Sequence, residues 1–250
     1  MILQTTDLSR HFGGLKAVSD VSLGIVKNTI HSILGPNGAG KTTLFNLITG
    51  AISPASGKVS FDGRDVTGWS PDKLAAVGVV RTFQRTSIFS HLSVLENIAL
   101  AVRSRRGLNY KIRTTREEDE SVQDEAVKHL QSVGLANRQH VIARQMAHGN
   151  QRALDIAIGL ALEPKIILMD EPLAGMAKGD RESIAILIQK LREEMGLTIV
   201  IVEHDVGMVL RLSDTITVMQ HGRIIAEGAP EAIREDEKVK KAYLHGNFAK

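Results

Sequence analysis

The sequence predicts an α/β fold: a core built on a parallel sheet, an antiparallel β subdomain, and an α-helical subdomain inserted into the chain. Two observations carry this expectation. The apolar runs at 166–169 and 197–202 suit strands buried on both faces, and a helical pattern from about 180 to 195 supplies the crossover between them. Between residues 88 and 162 the β/α alternation gives way to helix signals alone. That block reads as an insertion into a core formed by about 1–87 and 163–250.

The elements follow in order. Residues 2–8 and 17–26 alternate apolar and polar side chains and read as strands. A short strand at 30–34 runs directly into a glycine-rich turn. Residues 42–49 then have helical spacing, which Ser53-Pro54-Ala55-Ser56-Gly57 breaks. A strand at 59–61 before Asp62-Gly63 is a hairpin signal, and Ser70-Pro71 is an N-cap with proline at the first helical position. In the inserted block, Ser93-Val94-Leu95-Glu96 has the capping-box pattern. A second helix covers 117–133 and stops at Gly134, and a third covers 150–162. Strands at 215–219 and 223–227 about His221-Gly222 form an edge hairpin, and a helix near 230–234 closes the ordered chain.

Composition narrows the function classes. At 250 residues the chain is long enough for one large, well-buried domain. Lysine plus arginine (31) barely exceed aspartate plus glutamate (28), so a net charge of +3 gives no argument for nucleic acid as a partner. The basic stretch 103–116 is followed at once by the acids of 117–120 and reads as a solvated loop and helix start. With no cysteine, disulfides and thiolate metal sites are excluded. Asp7 and Arg10 stand in the first ten residues where a signal peptide would need an apolar core. No apolar stretch approaches the roughly 20 residues of a membrane helix, so any membrane role is expected to run through a partner.

Two motifs carry chemistry. Gly35-Pro36-Asn37-Gly38-Ala39-Gly40-Lys41-Thr42 fits G-x-x-x-x-G-K-[ST], with a strand before it and a helix after it. Glycines let successive backbone N–H groups face phosphate oxygens, and the helix adds the positive end of its dipole. Lys41 is expected to reach the β- and γ-phosphates, the Thr42 hydroxyl to ligate Mg²⁺, and Thr43 to complete the phosphate-binding set. The second motif, Ile166-Ile167-Leu168-Met169-Asp170-Glu171, ends an apolar strand in two acids. Asp170 then stands at the carboxyl edge of the sheet as the Mg²⁺ partner through water. Glu171 is placed as general base on the attacking water. Together the motifs describe a P-loop NTPase core.

Three further segments come in a recognisable order: Arg81-Thr82-Phe83-Gln84, Ala147-His148-Gly149-Asn150-Gln151 ahead of Asp170, and Glu203-His204-Asp205 after the next strand. With them the chain resembles an ABC ATPase over essentially its whole length. The resemblance implies a head-to-tail dimer with two ATP molecules between the subunits, each phosphate loop facing the other subunit's signature segment. It implies that Gln84 senses Mg²⁺ and the attacking water, that His204 contacts the γ-phosphate, and that Phe12 stacks on adenine. His148, Gly149 and Gln151 would touch the opposite nucleotide.

More narrowly, residues 12–18, 81–85, 202–206 and 241–245 are similar to the LivG-type ATPases of importers for branched-chain amino acids, urea and short amides. That implies integral membrane permease partners and a peripheral place on the cytoplasmic face of the membrane. The second ATPase would be another copy or a LivF-like subunit. An ABC exporter or lipid-extraction motor is the alternative; a non-transport ABC ATPase, lacking a second cassette, coiled coil or basic linker here, is the remoter one. The chain departs from the family twice. Ala147–Gln151 stands where Leu-Ser-Gly-Gly-Gln is usual, and Ala174-Gly175-Met176-Ala177 stands where Ser-Ala-Leu-Asp is common.

Overall fold

In the computed structural model, which describes residues 1–82, 88–108 and 115–243, a long hairpin opens the chain: β1 (Leu3–Phe12) and β2 (Leu15–Ile25). β3 (Ile30–Leu34) enters the glycine-rich loop and α1 (Lys41–Ile48) leaves it. β4 (Ser56–Phe61), β5 (Arg64–Asp65), α2 (Pro71–Ala76) and β6 (Val79–Thr82) follow. The inserted block holds α3 (Val94–Arg105), α4 (Arg116–Ser132) and α5 (His148–Leu160). β7 (Ile166–Asp170), α6 (Lys178–Met195), β8 (Thr198–Val202) and α7 (Val206–Leu212) restore the alternation. The hairpin β9 (Thr215–Gln220) and β10 (Arg223–Gly228) leads into α8 (Pro230–Glu235) and α9 (Glu237–Tyr243).

The strands form two sheets. One is antiparallel in the order β2-β1-β4-β5; the other runs β10-β9-β3-β8-β7-β6. In the second sheet β3 pairs in parallel with both β8 and β9, and β7 pairs in parallel with β8 and β6. Only β10 runs antiparallel, at the edge. Every residue of β3, β7 and β8 is buried, so apolar side chains on both faces are what these strands require.

The helical block is continuous with the main core. Ile98, Leu130, Leu154 and Ile156 share one apolar cluster with Ile167 and Met169 of β7 and Ile184 of α6. The other face of the sheet packs α1 and the antiparallel sheet into a second cluster, which includes Phe45, Leu44, Val59 and Leu168. The capping box at Ser93 and Glu96 is present, with Ser93 N–H donating to Glu96 Oε2 at 2.7 Å. Thr115 and Glu118 form a second such box at the start of α4.

Among the described residues the structure adds β6, α7 and α9 to the strands and α-helices read from the sequence, each of seven residues or fewer. Such segments are too short to show a period. The chain does not close at 234: Asp236 accepts from the N–H groups of Lys238 and Val239 at 2.7 and 3.0 Å and starts another helix.

His31 sits in β3, four residues ahead of Gly35, and is 1% exposed. Its Nε2 meets Thr217 Oγ1 at 2.8 Å, and the Thr217 hydroxyl donates to Glu227 Oε2 at 2.7 Å, so Nε2 carries the proton that the imidazole donates. Burial pushes its pKa down from 6.5 to about 4. Below pH 6.5 the unfolded chain therefore takes up a proton that the folded chain refuses, and stability falls as the pH drops from 6.5 towards 4. Between pH 7 and pH 5 this group removes about 2 kcal/mol of unfolding free energy. Urea unfolding of wild type and His31→Gln should show it: the stability difference between them shrinks by that amount over the interval. Parallel pH dependences would refute the assignment.

Candidate functional site

The carboxyl ends of β3, β7 and β8 lie side by side because the strands are parallel and in register, with Asp170 and Ile33 both paired to Val202. The loop leaving β3 is fixed by close backbone approaches that only glycine permits. A Cβ on Gly35 would stand 2.5 Å from Met219 O, and one on Gly40, whose φ is +101°, would stand 2.3 Å from Ala17 O. Gly222 N–H donates to Ala39 O at 2.9 Å, tying the loop to the β9–β10 hairpin. α1 begins at Lys41 with Gly40 as N-cap and no side-chain cap, so its first-turn N–H groups face outward as an anion site.

A cleft of about 350 Å³ opens over this loop. Asn37, Gly38, Ala39, Gly40, Lys41, Thr42 and Thr43 line it, and Leu15, Lys16, Ala17, Glu171 and His221 complete its walls. Lys41 is 7% exposed, and its ammonium donates to Gly35 O at 2.6 Å and Pro36 O at 3.1 Å. Burial lowers the Lys41 pKa, and the negative charges of Glu171, Asp170 and Glu203 oppose that shift. Chemically, the cleft offers backbone N–H groups, the ammonium groups of Lys41 and Lys16, and the hydroxyls of Thr42 and Thr43 to a polyphosphate.

At the far edge of the loop the acids divide into separate environments. Asp170 Oδ2 accepts from Arg81 Nη2 at 2.8 Å, and the same guanidinium donates to Asn46 on α1. Glu171 lies in the left-handed backbone region (φ 47°), with its N–H donating to Val202 O at 2.9 Å. Its side chain is 24% exposed and lies 3.9 Å from Nδ1 of His204, which is itself 58% exposed. Glu203 is buried and accepts from Leu173 N–H at 2.9 Å and His204 N–H at 3.3 Å. Burial raises its pKa, and those two N–H groups oppose the rise.

The structure thus gathers Gly35 to Thr43, Asp170, Glu171 and His204 at one edge. Gln84 lies outside the described residues. Phe12 is not in the cleft wall: it closes the β1–β2 hairpin opposite Leu15, is 48% exposed, and has the Arg10 guanidinium 5.1 Å above its ring. His148, Gly149 and Gln151 begin α5 away from this cleft. A Cβ on Gly149 would come within 2.9 Å of the Asp180 carboxyl, so α5 and α6 start in close contact. The Gln151 amide turns inward and donates to Met146 O at 3.1 Å and Ala143 O at 3.3 Å. Sequence reasoning missed Arg81, Glu203, Arg152 and His221. The pair Glu203-His204 was visible, but nothing local told which of the two is buried.

Comparison with known proteins agrees with this geometry. Residues 18–174 match the family model described as ABC transporter, and residues 223–244 match that described as branched-chain amino acid ATP-binding cassette transporter. The chain is 37% identical over 248 residues to the branched-chain amino acid transport ATP-binding protein BraF of Pseudomonas aeruginosa, covering 97% of each chain. It is 36% identical to LivG of Escherichia coli over the same span, again covering 97% of each. Among solved structures, the ADP conformation of MJ1267, an ATP-binding cassette of an ABC transporter, superposes with a TM-score of 0.85 at 34% identity, covering 98% of this chain and 99% of that one. A dimeric post-hydrolysis state of the cassette MJ0796 with ADP and phosphate gives 0.75 at 27% identity, covering 91% and 98%. No helix among the described residues is long and apolar enough to cross a membrane. The chain belongs to the ATP-binding subunits of ABC transporters, α/β P-loop ATPases that hydrolyse ATP to power transport.

Proposed function

We propose that this chain energises an importer of branched-chain amino acids or related small polar solutes, working as one half of an ATP sandwich. The observation that carries the reading is the convergence of Lys41, Asp170, Glu171 and His204 at one sheet edge, over a cleft floored by backbone N–H groups. It is supported by the branched-chain transport proteins to which the chain is similar over nearly its full length. Its partners on this reading are integral membrane permease subunits and a second cassette, either another copy or a LivF-like subunit. It would sit at the cytoplasmic face of the membrane through those permeases.

The residues divide the work. Loop N–H groups and Lys41 hold the β- and γ-phosphates. Glu171 aligns a water on the γ-phosphorus and takes its proton as the new P–O bond forms and the bond to the β–γ bridging oxygen breaks, releasing ADP. His204, beside Glu171, donates to the γ-phosphate oxygens. Phe12, at the hairpin tip, is available to the adenine ring. Mg²⁺ would be held by the Thr42 hydroxyl and, through water, by Asp170, whose Arg81 partner disfavours direct inner-sphere binding; Gln84 joins them only as the family resemblance implies. Bound there, the ion would neutralise charge on the β- and γ-oxygens.

The signature segment is better aligned one residue earlier, with Met146-Ala147-His148-Gly149-Asn150 over Leu-Ser-Gly-Gly-Gln. Met146 is buried as the leucine position requires of an apolar residue, Ala147 stands at the N-terminal boundary of α5 with no side-chain cap, and the Gln151 amide is taken up by the preceding turn. Ala147, His148, Gly149 and Asn150 are then the groups offered to the opposite nucleotide.

Permease docking is placed at the turn after β6. Phe89 is 58% exposed, while its backbone is pinned at both ends by the buried Asn97 amide at 2.7 and 3.1 Å. Ile88, in contrast, packs partly against the core.

Three outcomes test these assignments. Glu171→Gln should keep ATP affinity within about twofold while turnover falls by roughly 10²–10⁴; steady-state ATPase close to wild type would remove Glu171 as base. Lys41→Ala should weaken ATP binding by about 10–100-fold in a direct titration, since a charge-assisted bond to phosphate is lost. Phe89→Glu should leave the ATPase rate of the isolated chain unchanged and abolish substrate uptake by the assembled transporter. Unimpaired uptake would mean that the docking surface lies elsewhere.

A further inference from the structure

Arg152 lies in the second turn of α5 and is 3% exposed. Its Nη1 donates to Asp155 Oδ2 at 3.0 Å, an ion pair within the helix. A lysine could serve that pair alone. The guanidinium, however, also directs Nη2 to Asp170 O at 3.2 Å and Nε to Pro172 O at 3.1 Å. Those two carbonyls flank Glu171. Only a planar fork of donors reaches both and the Asp155 carboxylate together.

Glu171 needs such support, because its backbone sits where L side chains are strained. Its own N–H is held by Val202 O, and Glu203 holds Leu173 N–H two residues further on. Arg152 supplies a further constraint from outside the sheet. It does so from the helix whose first turn carries His148, Gly149 and Asn150.

We infer that Arg152 is a positioning residue for hydrolysis: it fixes the strand end on both sides of Glu171, and through it the orientation of α5 sets the aim of the carboxylate in the same subunit. A nucleotide bound against the start of α5 would then be sensed at the base belonging to the other nucleotide. The inference rests on the reading of Glu171 as base.

The test uses the purified full-length chain, with Arg152→Lys as the conservative variant. Arg152→Met/Asp155→Leu removes both charges together, so that no unpaired carboxylate is left buried if the lysine variant fails to fold. Thermal unfolding checks folding, titration with ATP gives affinity, and steady-state kinetics separates kcat from KM. Folded variants should bind ATP with a Kd within about twofold of wild type and keep KM, while kcat falls about tenfold or more, the loss expected when a reacting group is misaimed. The same changes in a Glu171→Gln background should alter the residual rate by less than about threefold, because the group being aimed is already gone. Wild-type kcat in a folded variant, or an equal loss in both backgrounds, overturns the inference while leaving Glu171 as base. Near-normal turnover of Glu171→Gln by itself overturns the reading of Glu171, and the inference with it.

Discussion

Parallel, in-register pairing of β3 with β8 and of β8 with β7 is the constraint on which the site depends. The pairing sets Ile33 and Asp170 against the same residue, Val202. The phosphate loop, the acidic pair and the Glu203-His204 turn therefore leave the sheet at one level. A one-residue slip of β7 would move Asp170 by about 3.3 Å along the strand and turn its side chain to the opposite face. Burial of Ile and Val on both faces makes that slip costly, so the hydrophobic core and the catalytic geometry are one specification.

Charge at this edge is balanced at short range. Asp170, Glu171 and Glu203 bear on the single ammonium of Lys41, and Arg81 and Arg152 hold the acidic strand end from two sides. Such a cluster is tolerable in a buried edge only while each member keeps its partner. Removing one member of a buried pair costs about 3–5 kcal/mol, whereas replacing both by apolar groups is often neutral. The donor-rich loop and the acid-rich strand end thereby face each other across one cleft.

Most of the sheet was legible because its signals are local. The run of β3, the glycine loop and the acidic end of β7 can each be read within ten residues, and the glycines at 35 and 40 are needed where sequence chemistry puts them. What escaped the sequence is set by distance along the chain. Arg81 meets Asp170 across 89 residues, and Glu203 meets Leu173 across 30. An isolated arginine ahead of Gln84 carries no mark of its partner. Gln151 shows the converse problem: an amide suited to a nucleotide is spent on the two carbonyls that shape the turn before α5. Its role depends on a fold that spacing alone does not display.

The end of β7 also shows why a side chain, and not simply a turn, was retained there. A glycine would adopt the left-handed conformation at residue 171 without strain, whereas a glutamate costs of the order of 1–3 kcal/mol. A strand ending purely for packing would favour the glycine. Here the cost is offset by an unusual density of ties: Val202 O to the amide, Arg152 to both flanking carbonyls, Glu203 to Leu173. Arg81 adds a fifth tie from the Asp170 carboxylate to Asn46 on α1. The strand end is consequently anchored to the helix that leaves the phosphate loop and to the helix that begins with His148. On the inference drawn above α5 reaches Glu171 through Arg152, and the Asp170–Arg81–Asn46 links give α1 a parallel hydrogen-bonded route to the same strand end.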